Sequence, residues 1–463
     1  MTENFRYIPN TPEQQEAILK EMNRKSVSEL FSDVPEELKL KRPLNIPEAM
    51  SELELEKHMK ELASKNANTD EYICFLGAGA YDHYIPSVIR HMLMRGEFYT
   101  AYTPYQPEIS QGTLQAIFEY QTMICELTGM DVANASMYDG ASAAAEAVLL
   151  ACGHKRKNKV LTASNIHPEY TDVIRTYTKY HGISVEQVAY SNGVIDLSDL
   201  EKKIDTETAA FVVQNPNFFG AIENLDEISR IVKNSGALFI VIADPISLAI
   251  LKPPSEYGAD VVVGEGQSLG NSLSFGGPYL GFFAATNDLL RKMPGRIVGQ
   301  TTDVHGNRGF VLTMQTREQH IRREKATSNI CTNQALNALA ATIYLTLMGK
   351  KGLKEVASLC VKKAHYAYRK LIETGKFVPA YSAPFFKEFA VKLNSVNSGK
   401  SSGNGGLFTL KELNKKLLKE KIIGGYELGR NFPDMDDAWL IAITEKRTRD
   451  EIDKLVELSN MEG

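Results

Sequence analysis

The chain has 463 residues, of which 43% are hydrophobic and 24% charged, with a net charge of −5. This length can bury ample core as one large multi-lobed unit or as two to three domains. The slightly acidic balance provides no basic excess to attract nucleic acid or anionic lipid. Five scattered cysteines without a CxxC pair argue against a disulfide framework or a metal site such as zinc. Because no signal-like or membrane-length apolar run is present, we expect a cytoplasmic protein.

Residues 1–112 are predicted to form a helical and extended N-terminal arm region. Thr11, followed by Pro12 and then Gln14, is typical of a helix start with a capping box. A second amphipathic helix is indicated by Leu53, Leu55, Met59 and Leu62. Residues 71–112 are rich in Gly, Tyr and Pro and predict an ordered but irregular segment.

Strand and helix patterns alternate through residues 113–330, the predicted large domain. One helix is expected from Thr113 to a stop at Gly129, and another after a cap at Asn224. Predicted strands occupy residues 159–163, 209–213, 237–243 and 260–263. Such alternation favours an α/β fold with a mostly parallel central sheet covered on both faces.

The last predicted domain, residues 331–463, is expected to be a smaller α+β lobe. A long helical stretch over roughly 315–349 leads into it, with Gly349 near its end. Residues 394–406 are rich in Gly, Ser and Asn and predict a mobile surface loop.

The predicted strand 237–243 ends in Asp244, and a Gly-Gly-Pro turn at 276–278 follows downstream. Enzymes of PLP (pyridoxal phosphate) fold type I place an aspartate at a strand end to hold the pyridinium nitrogen, and a Schiff-base lysine later. Here no lysine lies between Lys252 and Lys292, and Gln267 occupies the expected position. An amide cannot form an imine with an aldehyde, so covalent PLP chemistry is closed to this chain alone. The alternative is that Asp244 only forms a turn.

Two further segments are candidate sites. Gly140 and Ser142 begin an alanine-rich helix, whose free N–H groups could bind a phosphate, although many helices of this kind bind nothing. In the segment 98–112, three tyrosines recur at every third residue and are followed by Glu108; they are Tyr99, Tyr102 and Tyr105. On an extended path they would share one side, either packing on the domain's own surface or facing a pocket or partner.

Several long motifs resemble the amino-terminal half of glycine dehydrogenase (decarboxylating), the P-protein of the glycine cleavage system. They cover nearly the whole chain and lie at residues 77–86, 98–112, 137–142, 214–220, 243–245, 264–269, 293–299 and 315–332. The resemblance implies PLP-dependent transferase fold type I. It also implies a split enzyme in which this chain is subunit 1 and a sister chain, subunit 2, carries PLP on its lysine.

For the reaction, the resemblance implies decarboxylation of glycine on PLP, release of CO2, and transfer of the aminomethyl group to the lipoyl arm of the H-protein. Two copies of each subunit are expected, working with the T- and L-proteins. The active site should lie at the contact between unlike subunits, lined from this chain by Tyr99, Tyr102, Tyr105 and Glu108. Gly140, Ser142, Ser164, Asp244 and Gln267 would form a vestigial cofactor pocket.

Ser164 is assigned to the ring-stacking position by alignment of residues 162–168 with the sister's loop, whereas a shifted register brings His167 closer. Two other functions remain open. The chain could be a structural or regulatory pseudoenzyme without contact to substrate. It could also be an independent PLP enzyme that uses another lysine, such as Lys252 or Lys325.

Overall fold

The computed structural model describes residues 9–394, except 327, 331 and 332, and residues 409–460. The chain divides into two compact units, residues 1–67 and residues 68–463. The three-part division at 112 and 330 remains an interpretation of the sequence.

The described helices are α1 Pro12–Glu21, α2 Glu52–Ala63, α3 Ser87–Leu93, α4 Gly96–Tyr99, α5 Gln111–Thr128, α6 Gly140–Lys155, α7 Pro168–Thr178, α8 Leu197–Lys203, α9 Leu225–Ser235, α10 Gln319–Arg322, α11 Ala335–Glu373, α12 Leu410–Lys419 and α13 Arg449–Asn460. The described strands are β1 Ile73–Cys74, β2 Val132–Ala133, β3 Lys159–Ala163, β4 Ser184–Val188, β5 Tyr190–Ser191, β6 Val194–Ile195, β7 Thr208–Asn215, β8 Leu238–Ala243, β9 Val261–Glu265, β10 Gly281–Ala285, β11 Ile297–Thr302, β12 Arg308–Thr313, β13 Phe377–Pro379, β14 Glu388–Leu393, β15 Ile422–Ile423, β16 Tyr426–Glu427 and β17 Ala438–Ala442.

The first unit contains the helices α1 and α2, and both begin with a capping box. Thr11 accepts from the backbone N–H of Gln14, whose side chain accepts in return from the backbone of Thr11. Ser51 and Glu54 form the same reciprocal pair at α2. Each box satisfies two N–H groups that would otherwise lack a partner. Both predicted helices are present, the first indicated by its capping box and the second by its apolar spacing.

The second unit is built on a seven-stranded sheet in the order β2-β10-β9-β8-β7-β3-β4. Neighbours from β9 to β4 run parallel, whereas β10 is antiparallel to β9 and to β2. The strands β7 and β8 are almost wholly buried, as expected for central strands covered on both faces. The predicted mostly parallel sheet is confirmed.

Helix α6 packs in the centre of this unit, and its alanines 143–145 and 147 are fully buried. Small side chains allow the helix backbone to approach the sheet closely, which places the N-terminus of α6 beside the end of β9. The predicted helix ends at Gly129 and Gly236 are also present, each with a positive φ.

The C-terminal part of the unit carries a four-stranded antiparallel sheet in the order β13-β14-β17-β16. Trp439 on β17 is fully buried and stacks on Phe377 of β13. The start of the predicted helix over 315–349 is wrong, since α11 runs from Ala335 to Glu373 and residues 315–325 form only short helical turns, one of which is α10. Gly349, with φ +54°, has a non-helical backbone and divides α11 into two helical stretches, so the first stretch ends where the sequence predicted. Most of the predicted loop 394–406 lies outside the described residues.

Across the described residues, no helix combines the length and the apolar character needed to cross a bilayer.

Candidate functional site

The carboxyl ends of three parallel strands meet at a small cavity in the second unit. Its volume is about 40 Å³, and its wall contains several titratable or polar side chains: His167, Asp244, Glu265, Gln267, Lys387 and Glu388. Ligands of open α/β sheets bind at this edge, beyond the carboxyl ends of the strands. The structure therefore brings together Asp244 and Gln267, two of the five residues that the sequence assigned to a cofactor pocket.

Asp244 forms a buried ion pair with a lysine from the C-terminal sheet. The Lys387 ammonium lies 2.6 Å from a carboxylate oxygen of Asp244 and 3.0 Å from Nε2 of His83. It also lies 3.7 Å from the ring centroid of Tyr81. Burial alone would raise the pKa of Asp244, but the Lys387 charge holds it below its usual value. The aspartate that would hold a pyridinium nitrogen is thus already neutralised from within.

The carboxyl group of Glu265, the last residue of β9, lies against the N-terminal end of α6. One of its carboxyl oxygens accepts from the N–H of Gly140 at 3.0 Å, and the other accepts from Gln267 and Leu280 at 3.0 and 2.9 Å. A side chain at position 140 would collide with the hydroxyl of Tyr170, so only glycine fits there. The N–H that would bind a phosphate is therefore already bound to an internal carboxyl group.

Ser142 is likewise engaged in the local cap of α6. Its N–H donates to Asp139 at 2.7 Å, and its hydroxyl accepts from the N–H of Asp139 at 3.2 Å. Ser142 forms part of a reciprocal capping box and does not line the cavity.

Gln267 is 2% exposed, and its amide is fully used. It accepts from the N–H of Tyr81 at 3.0 Å and donates to the carbonyls of Tyr81 and Asn271 at 3.2 and 2.7 Å. The amide therefore clamps the segment around Tyr81 to the sheet edge, which a lysine could not do because it has no acceptor.

His167, and not Ser164, lies at the cavity wall. Its Nε2 is 2.8 Å from the carbonyl of Ala78, and its Nδ1 accepts from the N–H of Glu169 at 3.2 Å. Burial lowers the pKa of His167, so the ring is neutral and donates through Nε2. The ring stacks on Tyr170 at a centroid distance of 5.3 Å. Ser164 begins the turn at residues 164–166 that follows β3, and the assignment of the ring-stacking position stays a prediction.

A second buried acid lies behind the Lys387 pair. Nδ1 of His83 is 2.6 Å from Glu445, and although burial opposes it, His83 lowers the pKa of Glu445 to about 2. Together with Cys360 these groups could geometrically enclose a metal ion. The Lys387 ammonium, 3.0 Å from His83, opposes a cation there.

PLP does not fit this chain's own pocket. Ligand pockets are commonly on the order of 300–1,000 Å³, whereas the cavity has about 40 Å³. Asp244 is paired with Lys387, and Gly140 binds Glu265. Neither Lys252 nor Lys325 lines the cavity. Binding of the cofactor would require several buried contacts to be broken, so no step of a reaction can be derived through PLP in this chain.

The pH dependence of stability should report the buried state of Glu265. Burial raises its pKa from 4.5 to about 7, so the folded chain retains a proton that the unfolded chain releases. The contribution of Glu265 to the free energy of unfolding is largest below pH 4.5 and is lost as the pH rises through 7. In Glu265→Gln, the slope of unfolding free energy against pH between 5 and 7 should be shallower by up to about 1.4 kcal/mol per unit.

Urea unfolding at several pH values measures this slope. Burial likewise raises the pKa values of Glu146 and Glu388 to about 7. The unfolding free energy of Glu265→Gln should therefore still fall with rising pH, but less steeply than that of wild type. An identical slope in wild type and Glu265→Gln would show that Glu265 is ionised throughout.

The tyrosine segment lies at a separate, larger cavity of about 310 Å³. Tyr99 ends the short helix α4, so the path is not extended throughout, contrary to expectation. Tyr99 and Tyr102 line the cavity, and the hydroxyl of Tyr105 accepts from Arg296 at 2.7 Å. Glu108 is exposed and does not line it. The three phenols thus lie near one cavity, and all three side chains remain largely exposed.

Sequence reasoning missed the partners that fill the small cavity. These are His83, Glu265 and Lys387. The sequence contained a signal for two of them: Glu265 ends an apolar strand, and Lys387 precedes the buried strand β14 after two phenylalanines. Charges beside buried strands indicate internal pairs, but the pattern does not say with which residue.

Comparison with known proteins agrees with this geometry. The family model described as glycine cleavage system P-protein matches residues 5–458. A relative from Carboxydothermus hydrogenoformans, named probable glycine dehydrogenase (decarboxylating) subunit 1, is 58% identical over 98% of this chain and 99% of its own length. A relative of the same name from Desulforamulus reducens is 54% identical over 97% and 98%.

Solved structures show the same fold. A crystal structure of glycine decarboxylase (P-protein) of the glycine cleavage system, in inhibitor-bound form, aligns with a TM-score of 0.89 and 41% identity over 98% of this chain and 99% of that chain. Glutamate decarboxylase of Lactobacillus brevis aligns at 0.67 with 12% identity over 91% and 94%, which shows the fold alone. The predicted PLP-dependent transferase fold type I is confirmed.

Proposed function

Because the chain belongs to the glycine cleavage system P-protein family, we propose that it is the cofactor-free subunit of a two-chain glycine dehydrogenase (decarboxylating). The sister subunit carries PLP, and this chain completes the active site at their contact. The relatives' name, subunit 1, supports the existence of a partner chain.

The observation that carries the proposal is the internal filling of the cofactor pocket. Asp244 is paired with Lys387, and the N–H of Gly140 is bound to Glu265. Gln267, which stands where the lysine is expected, is clamped in three hydrogen bonds. In an enzyme of this family, a chain with the fold of a PLP enzyme but no room for PLP would obtain the cofactor's chemistry from another subunit, which supports the proposal.

The assembled enzyme would decarboxylate glycine, release CO2 and pass the aminomethyl group to the lipoyl arm of the H-protein, with the T- and L-proteins acting afterwards. When bound in the sister subunit, PLP supplies the electron sink for decarboxylation. We propose two copies of each subunit.

Co-expression with a candidate sister chain tests the proposal. The pair should co-purify, show PLP absorbance, and exchange CO2 with the carboxyl group of glycine when lipoylated H-protein is added. This chain alone should show neither PLP absorbance nor CO2 exchange. A pyridoxyl adduct on this chain after borohydride reduction would contradict the assignment and favour an independent PLP enzyme.

The exposed tyrosines are proposed to line the glycine and lipoyl-arm pocket of the partner, with Glu108 at its edge. Tyr102 is 81% exposed, and aromatic side chains left in solvent beside a cavity are typical of a surface that another chain covers.

Tyr102→Phe and Tyr105→Ala are expected to lower the rate of glycine–CO2 exchange in the assembled enzyme by about tenfold or more, the loss of roughly one good polar contact or more. The comparison is with the equivalent changes at Tyr180, which is 87% exposed and does not line the larger cavity. Size-exclusion chromatography checks assembly. Unchanged assembly and turnover in all variants would leave the chain a purely structural subunit.

A further inference from the structure

Arg296 is a buried cation at the larger cavity. It lies between the fixed turn at 293–295 and β11, and it is 5% exposed. Among the described residues that line this cavity of about 310 Å³, Arg296 alone carries a charge. The other lining residues are aliphatic, aromatic, hydroxyl or amide side chains.

The Arg296 side chain has few hydrogen-bond partners. One N–H of its guanidinium donates to the hydroxyl of Tyr105 at 2.7 Å, and its carbon lies 5.2 Å from that ring's centroid. Its Nε is buried and has no hydrogen-bond partner, and within the described part of the chain no carboxylate pairs with it. A buried charge without a counter-charge is costly, so the side chain is expected to meet an anion from outside the chain.

The backbone that carries Arg296 is held rigidly before any ligand arrives. The Arg317 guanidinium donates to the carbonyls of Met293 and Gly295. Asn134 donates to the carbonyl of Pro294 at 3.1 Å, and the carbonyl of Arg296 accepts from the N–H of Ala135 at 2.8 Å. Such preorganisation is what a binding group requires, because little order is lost when the ligand binds.

The cavity distinguishes between classes of anion. The terminal nitrogens of the Arg296 guanidinium carry four N–H groups, and one of them donates to Tyr105, so N–H donors remain for the two oxygens of a planar carboxylate. One cation beside a neutral phenol suits a monoanion, whereas a phosphate dianion needs more donors. The volume of about 310 Å³ is at the lower end for ligand sites and fits a small molecule.

We propose that Arg296, oriented by Tyr105, binds the carboxylate of a small monocarboxylate substrate. This inference rests on the proposed function, under which that substrate is glycine. The site forms and breaks no covalent bond. Because it favours the ionised carboxylate of bound glycine, it contributes to ground-state binding and not to loss of CO2.

The test in the assembled enzyme measures whether a change at Arg296 affects KM or kcat. Arg296→Met should raise the KM for glycine by about tenfold or more and change kcat by less than about threefold. Arg296→Lys, which keeps the charge but not the planar fork, should recover part of the loss. Arg291→Met, at an exposed arginine of a neighbouring turn, is the matched control and should leave both constants unchanged.

A second readout uses this chain alone and does not depend on turnover. Removal of an unpaired buried charge should leave the melting temperature of Arg296→Met equal to or above that of wild type. Sodium acetate or glycine, against sodium chloride of equal ionic strength, should raise the melting temperature of wild type by about 2–4 °C and leave Arg296→Met unaffected.

Each outcome decides one question. An unchanged KM in an active Arg296→Met enzyme overturns the inference, as does stabilisation of wild type by phosphate but not by acetate. If Arg296→Met prevents assembly while the melting temperature ignores carboxylates, the anion is a side chain of the sister subunit and the substrate role is wrong. If the wild-type pair is inactive, the proposed function fails. The effect of acetate on the melting temperature then decides by itself whether Arg296 binds a carboxylate.

Discussion

Lys387→Met is expected to destabilise the folded chain by about 3–5 kcal/mol, because removal of one partner leaves a buried charge uncompensated. Lys387 is 2% exposed and lies 2.6 Å from Asp244. Without the ammonium, Asp244 must stay ionised in a buried site or take up a proton. The midpoint of urea unfolding, measured at pH 7, reports the change.

Two controls separate this effect from a general loss of packing. The double variant Lys387→Met with Asp244→Asn removes both charges and should recover most of the lost stability. Lys233→Met breaks an ion pair with Asp260 in which the lysine is 43% exposed, and it should cost at most about 1 kcal/mol. If the double variant is as unstable as the single one, Asp244 and Lys387 are not energetically coupled.

The Lys387 pair also accounts for the charged side chains that line the small cavity. The carboxyl ends of the parallel strands still deliver Asp244 and the N-terminus of α6, because sheet topology fixes both. Asp244 therefore needs a positive partner, and the N–H groups at the start of α6 need an acceptor. Lys387, which precedes β14, supplies the first, and Glu265, at the end of β9, supplies the second.

Periodicity and caps were sufficient to predict the scaffold. Alternating buried strands and helices indicated the parallel sheet, and Gly129 and Gly236 marked helix ends because each takes a positive φ. These signals are local, so they can be read within a few residues of the chain. The start of α11 was misplaced because the charged, helix-favouring residues 315–325 form short turns that carry Arg317 to the carbonyls of 293 and 295.

The candidate site was only partly predictable, since its decisive contacts join distant parts of the chain. Asp244 and Gln267 follow strands and could be located from the pattern. Lys387 arrives from the C-terminal sheet, and Arg296 meets Tyr105 only after the whole unit has folded. No spacing rule links such residues, and only the tertiary structure shows that one pair fills a pocket while the other borders an open cavity.

Gln267→Lys is expected to restore neither PLP binding nor glycine decarboxylation by this chain alone, and to destabilise it by about 3 kcal/mol or more. The lysine cannot accept from the N–H of Tyr81, so a buried donor loses its partner. It also places a second ammonium in the cavity that already contains Lys387. The remaining volume of about 40 Å³ cannot hold a pyridine ring and its phosphate.

Absorbance titration with PLP, followed by borohydride reduction and peptide mass spectrometry, measures the result. The sister subunit is the positive control. Gln267→Lys combined with Lys387→Met relieves the charge repulsion but leaves Glu265 bound to Gly140, so the phosphate position is still filled. The combined variant should therefore also bind PLP no better than wild type. A reduced pyridoxyl group on residue 267 of the single variant would show that the missing amine, and not the internal filling of the pocket, is what excludes the cofactor.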